Sequence, residues 1–125
     1  MPAYNFKSQF AKAIRDGEKT TTIRPPRRRP TRVGDILYLY TGLRTKKADR
    51  IGAYRCVKVE PCVIHPGRMD MRIGGLACTN RAIAEIARAD GFASAKAFFE
   101  FFARTYGQDT LEMELIAWDP TRIED

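Results

Sequence analysis

A chain of 125 residues with 44% apolar side chains and a net charge of +7 can build one ordinary core, so a single domain spanning 1–125 is expected. Its apolar stretches fall far short of the ~18 residues that cross a bilayer, and "MPAYNFKSQF" lacks a secretory signal's apolar run. A soluble, cytoplasmic protein with no membrane partner is therefore expected.

"AYNF" at 3–6 reads as a short strand. A helix should start near Ser8, an acceptable cap, with Phe10, Ala13 and Ile14 on one face. Gly17 can end it in a left-handed conformation. "KTTTIR" is β-branched and should be extended, whereas "PPRRRP" can be neither helix interior nor central strand and reads as a loop. "VGD" is a turn, and "ILYLYT" at 36–41 reads as a strand buried on both faces. "IGAYRCVKVEPCVI" is a long strand in which Pro61 marks a bulge, edge or break. Its expected faces are Ala53, Arg55, Val57 and Val59 on one side, and Tyr54, Cys56, Lys58 and Glu60 on the other. "RMDMRI" alternates again. "TNRAIAEIARAD" suits a helix capped by Thr79 and ended by Gly91. "AKAFFEFFARTY" suits another, capped by Ser94 and ended by Gly107, with Phe98, Phe101, Phe102 and Tyr106 as its core stripe. "TLEMELIAW" closes the chain as a strand. Five or six strands without βαβ alternation predict an α+β fold built on a small, closed or nearly closed β-barrel with helices outside.

The charge is unevenly placed. Residues 1–75 carry 17 Lys/Arg against 6 Asp/Glu, whereas residues 76–125 carry 5 against 9. Such polarity steers polyanions and points to a nucleic acid or a nucleotide as partner. The basic half holds "GEKTTTIR" at 17–24 and, directly after it, "PPRRRPTR". Arginine forks match phosphate oxygens, so Arg27, Arg28, Arg29 and Arg32 are candidate phosphate contacts; the alternative is a solvated, proline-stiffened edge. Lys19, Thr20, Thr22 and Arg24 are candidate ligand contacts; the alternative is a helix stop followed by an exposed edge strand. A threonine becomes a nucleophile only when a neighbour takes its proton, and a lysine can do so if burial or nearby cations lower its pKa. In a regular strand Lys19 and Thr22 face apart. They converge only if residues 17–19 still curl out of the helix.

Cys56, Cys62 and Cys78 are odd in number and form no CxxC pair, so reduced thiols are expected rather than a disulfide framework. Along one strand Cys56 and Cys62 would stand roughly 20 Å apart at ~3.3 Å per residue, too far to share a metal with His65. Neither a metal nor another cofactor is expected.

"FAKAIRDGEKTTTIR" followed by "VGD" and a strand resembles the opening of an ASCH domain. "IARADGFASAKAFFEFFARTYG" followed by a strand resembles that family's second half, and together they cover about residues 4–118. The resemblance implies a PUA-like β-barrel, related to RNA-binding modules, with a cleft lined by "GEKTTTIR" and fit for a nucleotide or a modified nucleoside, so RNA, a nucleotide or a modified nucleoside is the expected partner. Some small bacterial members are amidohydrolases that remove acetyl from N4-acetylcytidine with a lysine, a threonine and a glutamate. The lysine matches Lys19 and the threonine Thr22, and Asp90, one methylene shorter, stands where the acid should fall. The family also includes proposed ribonucleases, though a lone histidine does not suit the two-histidine form of that chemistry.

Overall fold

The computed structural model describes residues 2–123. In chain order these form β1 (Ala3–Phe6), a 3-10 turn (Ser8–Phe10), α1 (Ala11–Arg15), β2 (Thr21–Arg24), β3 (Ile36–Thr41) and β4 (Asp49–His65). A second 3-10 turn (Pro66–Arg68) leads to β5 (Asp70–Ile73), β6 (Leu76–Ala77), α2 (Asn80–Ala89), α3 (Ala95–Tyr106) and β7 (Leu111–Trp118). The fold is α+β, with seven strands in one sheet and three α-helices among the described residues.

The long strand β4 organises the sheet. Its first part pairs antiparallel with β3, which pairs parallel with β1, and its later part pairs antiparallel with both β5 and β7. β7 in turn pairs antiparallel with β2. The ladder β2–β7–β4–β3–β1 thus ends in two edges, β2 and β1. Among the described residues no backbone pairing joins those edges, so the sheet is not closed into a barrel.

Two apolar clusters form around β4 and β7. One gathers Phe6, Phe10, Ile14, Leu37, Leu39, Tyr54 and Trp118. The other packs Ile83 and Ala87 of α2 and Phe98, Phe99 and Phe102 of α3 against Cys62, Ile64, Met113 and Leu115. Phe92 and Phe101 touch both. The caps of the last two helices follow the sequence expectation: Thr79 Oγ accepts from Ala82 N at 3.1 Å, and Ser94 Oγ from Ala97 N at 3.1 Å. Gly91 and Gly107 follow the helices with φ of 97° each.

Several details differ from the sequence reading. Ser8 caps nothing; the chain enters through the 3-10 turn, which carries Phe10 into the core before α1 begins. β3 is buried on one face only: Leu37 and Leu39 are inside, whereas Tyr38 and Tyr40 are half-buried and the Arg50 guanidinium lies 4.9 Å from the Tyr38 ring centroid. β4 runs unbroken through Pro61, and its bulge lies between Cys56 and Lys58, leaving Val57 exposed. Pro61 is tolerated because its carbonyl meets Gly74 N at the end of the β5 ladder, on the side where its missing N–H would point. On α3, Phe99 joins the core while Tyr106 lies partly exposed, stacked on Phe102. No helix among the described residues is long and apolar enough to cross a membrane.

Candidate functional site

Gly17, with φ 79°, ends α1 without ending its curl. Both Glu18 N and Lys19 N donate to Ala13 O, at 2.9 and 3.0 Å. This extra turn carries Lys19 inward before the chain straightens, which settles the parity conflict: Lys19 and Thr22 line the same cleft. Thr20 is used by its backbone, which bonds Ala89 O and Trp118 N and so ties α2 to β7. It is not among the residues lining the cleft.

The cleft has a volume of about 220 Å³ and sits in the open seam between β1 and β2. Phe6, Phe10, Phe101, Phe102 and Tyr106 give it aromatic walls. At its inner end Lys19 is only 2% exposed and Asp90 only 3%. Lys19 Nζ donates to Thr21 O at 2.7 Å and to Asp90 O at 2.5 Å, and lies 3.4 Å from Asp90 Oδ1. The same Oδ1 accepts from Thr21 Oγ at 2.8 Å. The ammonium also faces the rings of Phe6 and Phe10, at 5.4 and 5.0 Å from their centroids. Gly91 makes this approach possible. A Cβ there would stand 2.9 Å from Lys19 Cδ and 3.1 Å from Phe10 Cδ1.

Burial pushes the Lys19 amine below its ordinary pKa, against the opposing pull of Asp90. Burial likewise pushes the Asp90 carboxyl above its ordinary value, opposed by Lys19 and by the Thr21 hydrogen bond. The two shifts draw the groups together in proton affinity.

Arg24 spans the seam. Its Nε donates to Thr22 Oγ on β2 at 2.9 Å, and a terminal nitrogen donates to Asn5 O on β1. Its guanidinium lies over the rings of Phe6 and Tyr4, at 4.8 and 5.5 Å from their centroids. Burial lowers its pKa, yet a guanidinium stays charged at any ordinary pH. A side chain thus stands where a closed sheet would have a backbone ladder.

The remaining candidates divide. Arg27 donates to Ala3 O at 2.9 Å and lies 4.7 Å from the Tyr4 ring centroid. Arg29 lines a cavity with Arg27 and Asp35. Arg28 and Arg32 are exposed and line none of the cavities described here. The loop itself is anchored, because Thr31 is buried and its Oγ bonds Tyr4 Oη at 2.6 Å.

Sequence reasoning missed Thr21 and Thr105, and placed Phe101 and Tyr106 only in a core stripe, whereas both line the cleft. Thr21 carried no signal beyond its place among three threonines. Phe101 and Thr105 are four apart and so share one edge of the helix. The cysteines stay apart from the cleft: Cys56 and Cys62 belong to different clusters, and burial pushes the Cys62 thiol up to about 12. Compared with known proteins, the chain matches no family model, no curated protein and no solved structure.

Proposed function

We propose that the protein is a nucleotide- or RNA-binding domain that takes a base into the cleft between β1 and β2. One observation carries this reading: an aromatic-walled cleft with a cation at its inner end, bridged by Arg24 and flanked by an anchored arginine loop. Aromatic faces stack on bases whatever their sequence, and arginines meet phosphates. The reading also takes the β2–β7–β4–β3–β1 path as an ASCH-type, PUA-like framework whose seam is the ligand site. Fluorescence anisotropy with short single-stranded RNA across a salt series tests it. Affinity should fall steeply with salt and weaken when Arg27, Arg28 and Arg29 become alanine. An affinity indifferent to salt overturns it.

A second reading, an amidohydrolase acting on an acylated nucleoside such as N4-acetylcytidine, is favoured by Lys19, Thr22 and Asp90 lining one cleft. Thr22 Oγ would add to the acyl carbon as a neutral Lys19 takes its proton. The C–N bond would then break as that proton passes to the leaving amine, and water would hydrolyse the Thr22 ester. Arg24 beside Thr22 Oγ favours the developing negative charge. Asp90, whose Oδ1 is bound to Thr21 and faces Lys19, would hold the lysine in place. The absorbance change of N4-acetylcytidine reads the reaction without added metal. Turnover should vanish in Thr22→Val and Lys19→Met, and turnover kept in both rejects these roles.

A further inference from the structure

We infer that the ligand carries a phosphate, held by Arg24, Arg27 and Arg44 in a second cavity that opens off the cleft. This rests on the base-binding reading above and adds a subsite to it. The second cavity, of about 430 Å³, shares Asn5, Arg24 and Tyr106 with the cleft. The two cavities therefore adjoin at these residues, as the base and the phosphate of one nucleotide adjoin through its sugar.

Charge singles this cavity out. Its lining holds three arginines and neither Asp nor Glu. The neighbouring cavity at Arg27 and Arg29, of about 440 Å³, includes Asp35, whose carboxylate opposes an anion. The basic surface free of carboxylate is thus the one continuous with the cleft.

The arginines are also placed by the fold. Arg24 spends one donor on Thr22 and one on Asn5, and Arg27 spends one on Ala3. A guanidinium has five, so both keep donors for a ligand. Arg44 sits in a built turn. Leu43 N donates to Asn5 Oδ1 at 2.8 Å, tying the turn to β1, and Thr45 N and Oγ both donate to Gly42 O. Arg44 itself holds a left-handed backbone, φ 71°, which a non-glycine residue keeps only where its surroundings enforce it. Asn5 thus serves both sides, with its side chain fixing the Arg44 turn and its carbonyl receiving Arg24. Planar forks of this kind match paired phosphate oxygens. The phosphate is either the terminal monoester of a mononucleotide or the internucleotide diester of a strand; both offer such a pair.

Calorimetric titration of the full chain tests this. The probes are N4-acetylcytidine and the four common ribonucleosides, their 5′-monophosphates, and dinucleotides lacking a terminal phosphate. For whichever base binds, a phosphate-bearing form should bind about tenfold more tightly than the nucleoside or better, as charge-assisted hydrogen bonds allow. Arg44→Asn, which tolerates the left-handed backbone, and Arg27→Gln should each shrink that gain and leave nucleoside affinity in place. Arg81→Gln, at an exposed arginine of α2, should keep it. Thermal melts confirm that each variant folds. A gain for monophosphates alone identifies a mononucleotide, and a gain for dinucleotides as well identifies a strand; either supports the subsite. Equal affinity for nucleosides and both phosphate forms, or a full gain in both Arg44→Asn and Arg27→Gln, overturns the subsite and leaves the cleft reading standing. Absence of binding by every probe overturns both.

Discussion

Lys19 and Arg24 on one side, and Arg28, Arg29 and Arg32 on the other, are neighbours in sequence with opposite surroundings. The first pair is enclosed by aromatic rings, carbonyls and a carboxylate, whereas the second group stands in solvent. The difference shows that position in the fold, and not basic composition, decides which cations are enclosed. An enclosed cation carries a desolvation cost and stays preorganised. A solvated one is screened within roughly 8–10 Å at moderate salt and can contribute steering without a fixed geometry.

That contrast can be broken most forcefully at Asp90. Asp90→Ala leaves Lys19 buried without its carboxylate and should cost about 3–5 kcal/mol in urea denaturation, whereas Lys19→Met combined with Asp90→Leu should recover most of the loss. A single variant as stable as the wild type would show that the pair is not held as described. Gly91→Ala should follow, at about 2–4 kcal/mol, because the new methyl meets Lys19 and Phe10 on a backbone of positive φ. Arg24→Gln should cost about 1–3 kcal/mol, since it weakens the link between Thr22 and Asn5 and bares two aromatic faces. Replacing Arg28 or Arg32 with Gln should change stability by less than about 0.5 kcal/mol.

The pH dependence sharpens the same comparison. Lys19 is held below its ordinary 10.5, so its contribution to stability is complete above 10.5 and is lost as the pH falls toward its folded value. Relative to a Lys19→Met/Asp90→Asn variant, the wild type should therefore gain stability as pH rises through that window. Urea titrations across the range read it, and a flat difference would refute the enclosed state of Lys19.

Local signals told the ends of the last two helices well, whereas the cap signal at Ser8 did not hold. Thr79, Ser94, Gly91 and Gly107 mark helix ends because a cap needs only its own few residues. The curl at Gly17 was legible as a condition and is met. Features set by tertiary partners were not legible. Pro61 sits within β4 because of where the β5 ladder stops. Tyr38 is half-buried with the Arg50 guanidinium over its ring. Thr21 meets Asp90 because α2 ends beside it, and the turn at Arg44 is tied down by Asn5. The open seam depends on which two strands are left without a partner, which alternation within each strand cannot show.

The course of β4 has a consequence for unfolding. One uninterrupted strand lends Ile51, Tyr54 and Cys56 to the first cluster and Cys62 and Ile64 to the second, and Phe92 and Phe101 tie the clusters again from outside. Opening either cluster therefore disturbs the strand and the two rings that the other packs on. Hydrogen exchange should therefore find the amides of both clusters released together, in a single cooperative event.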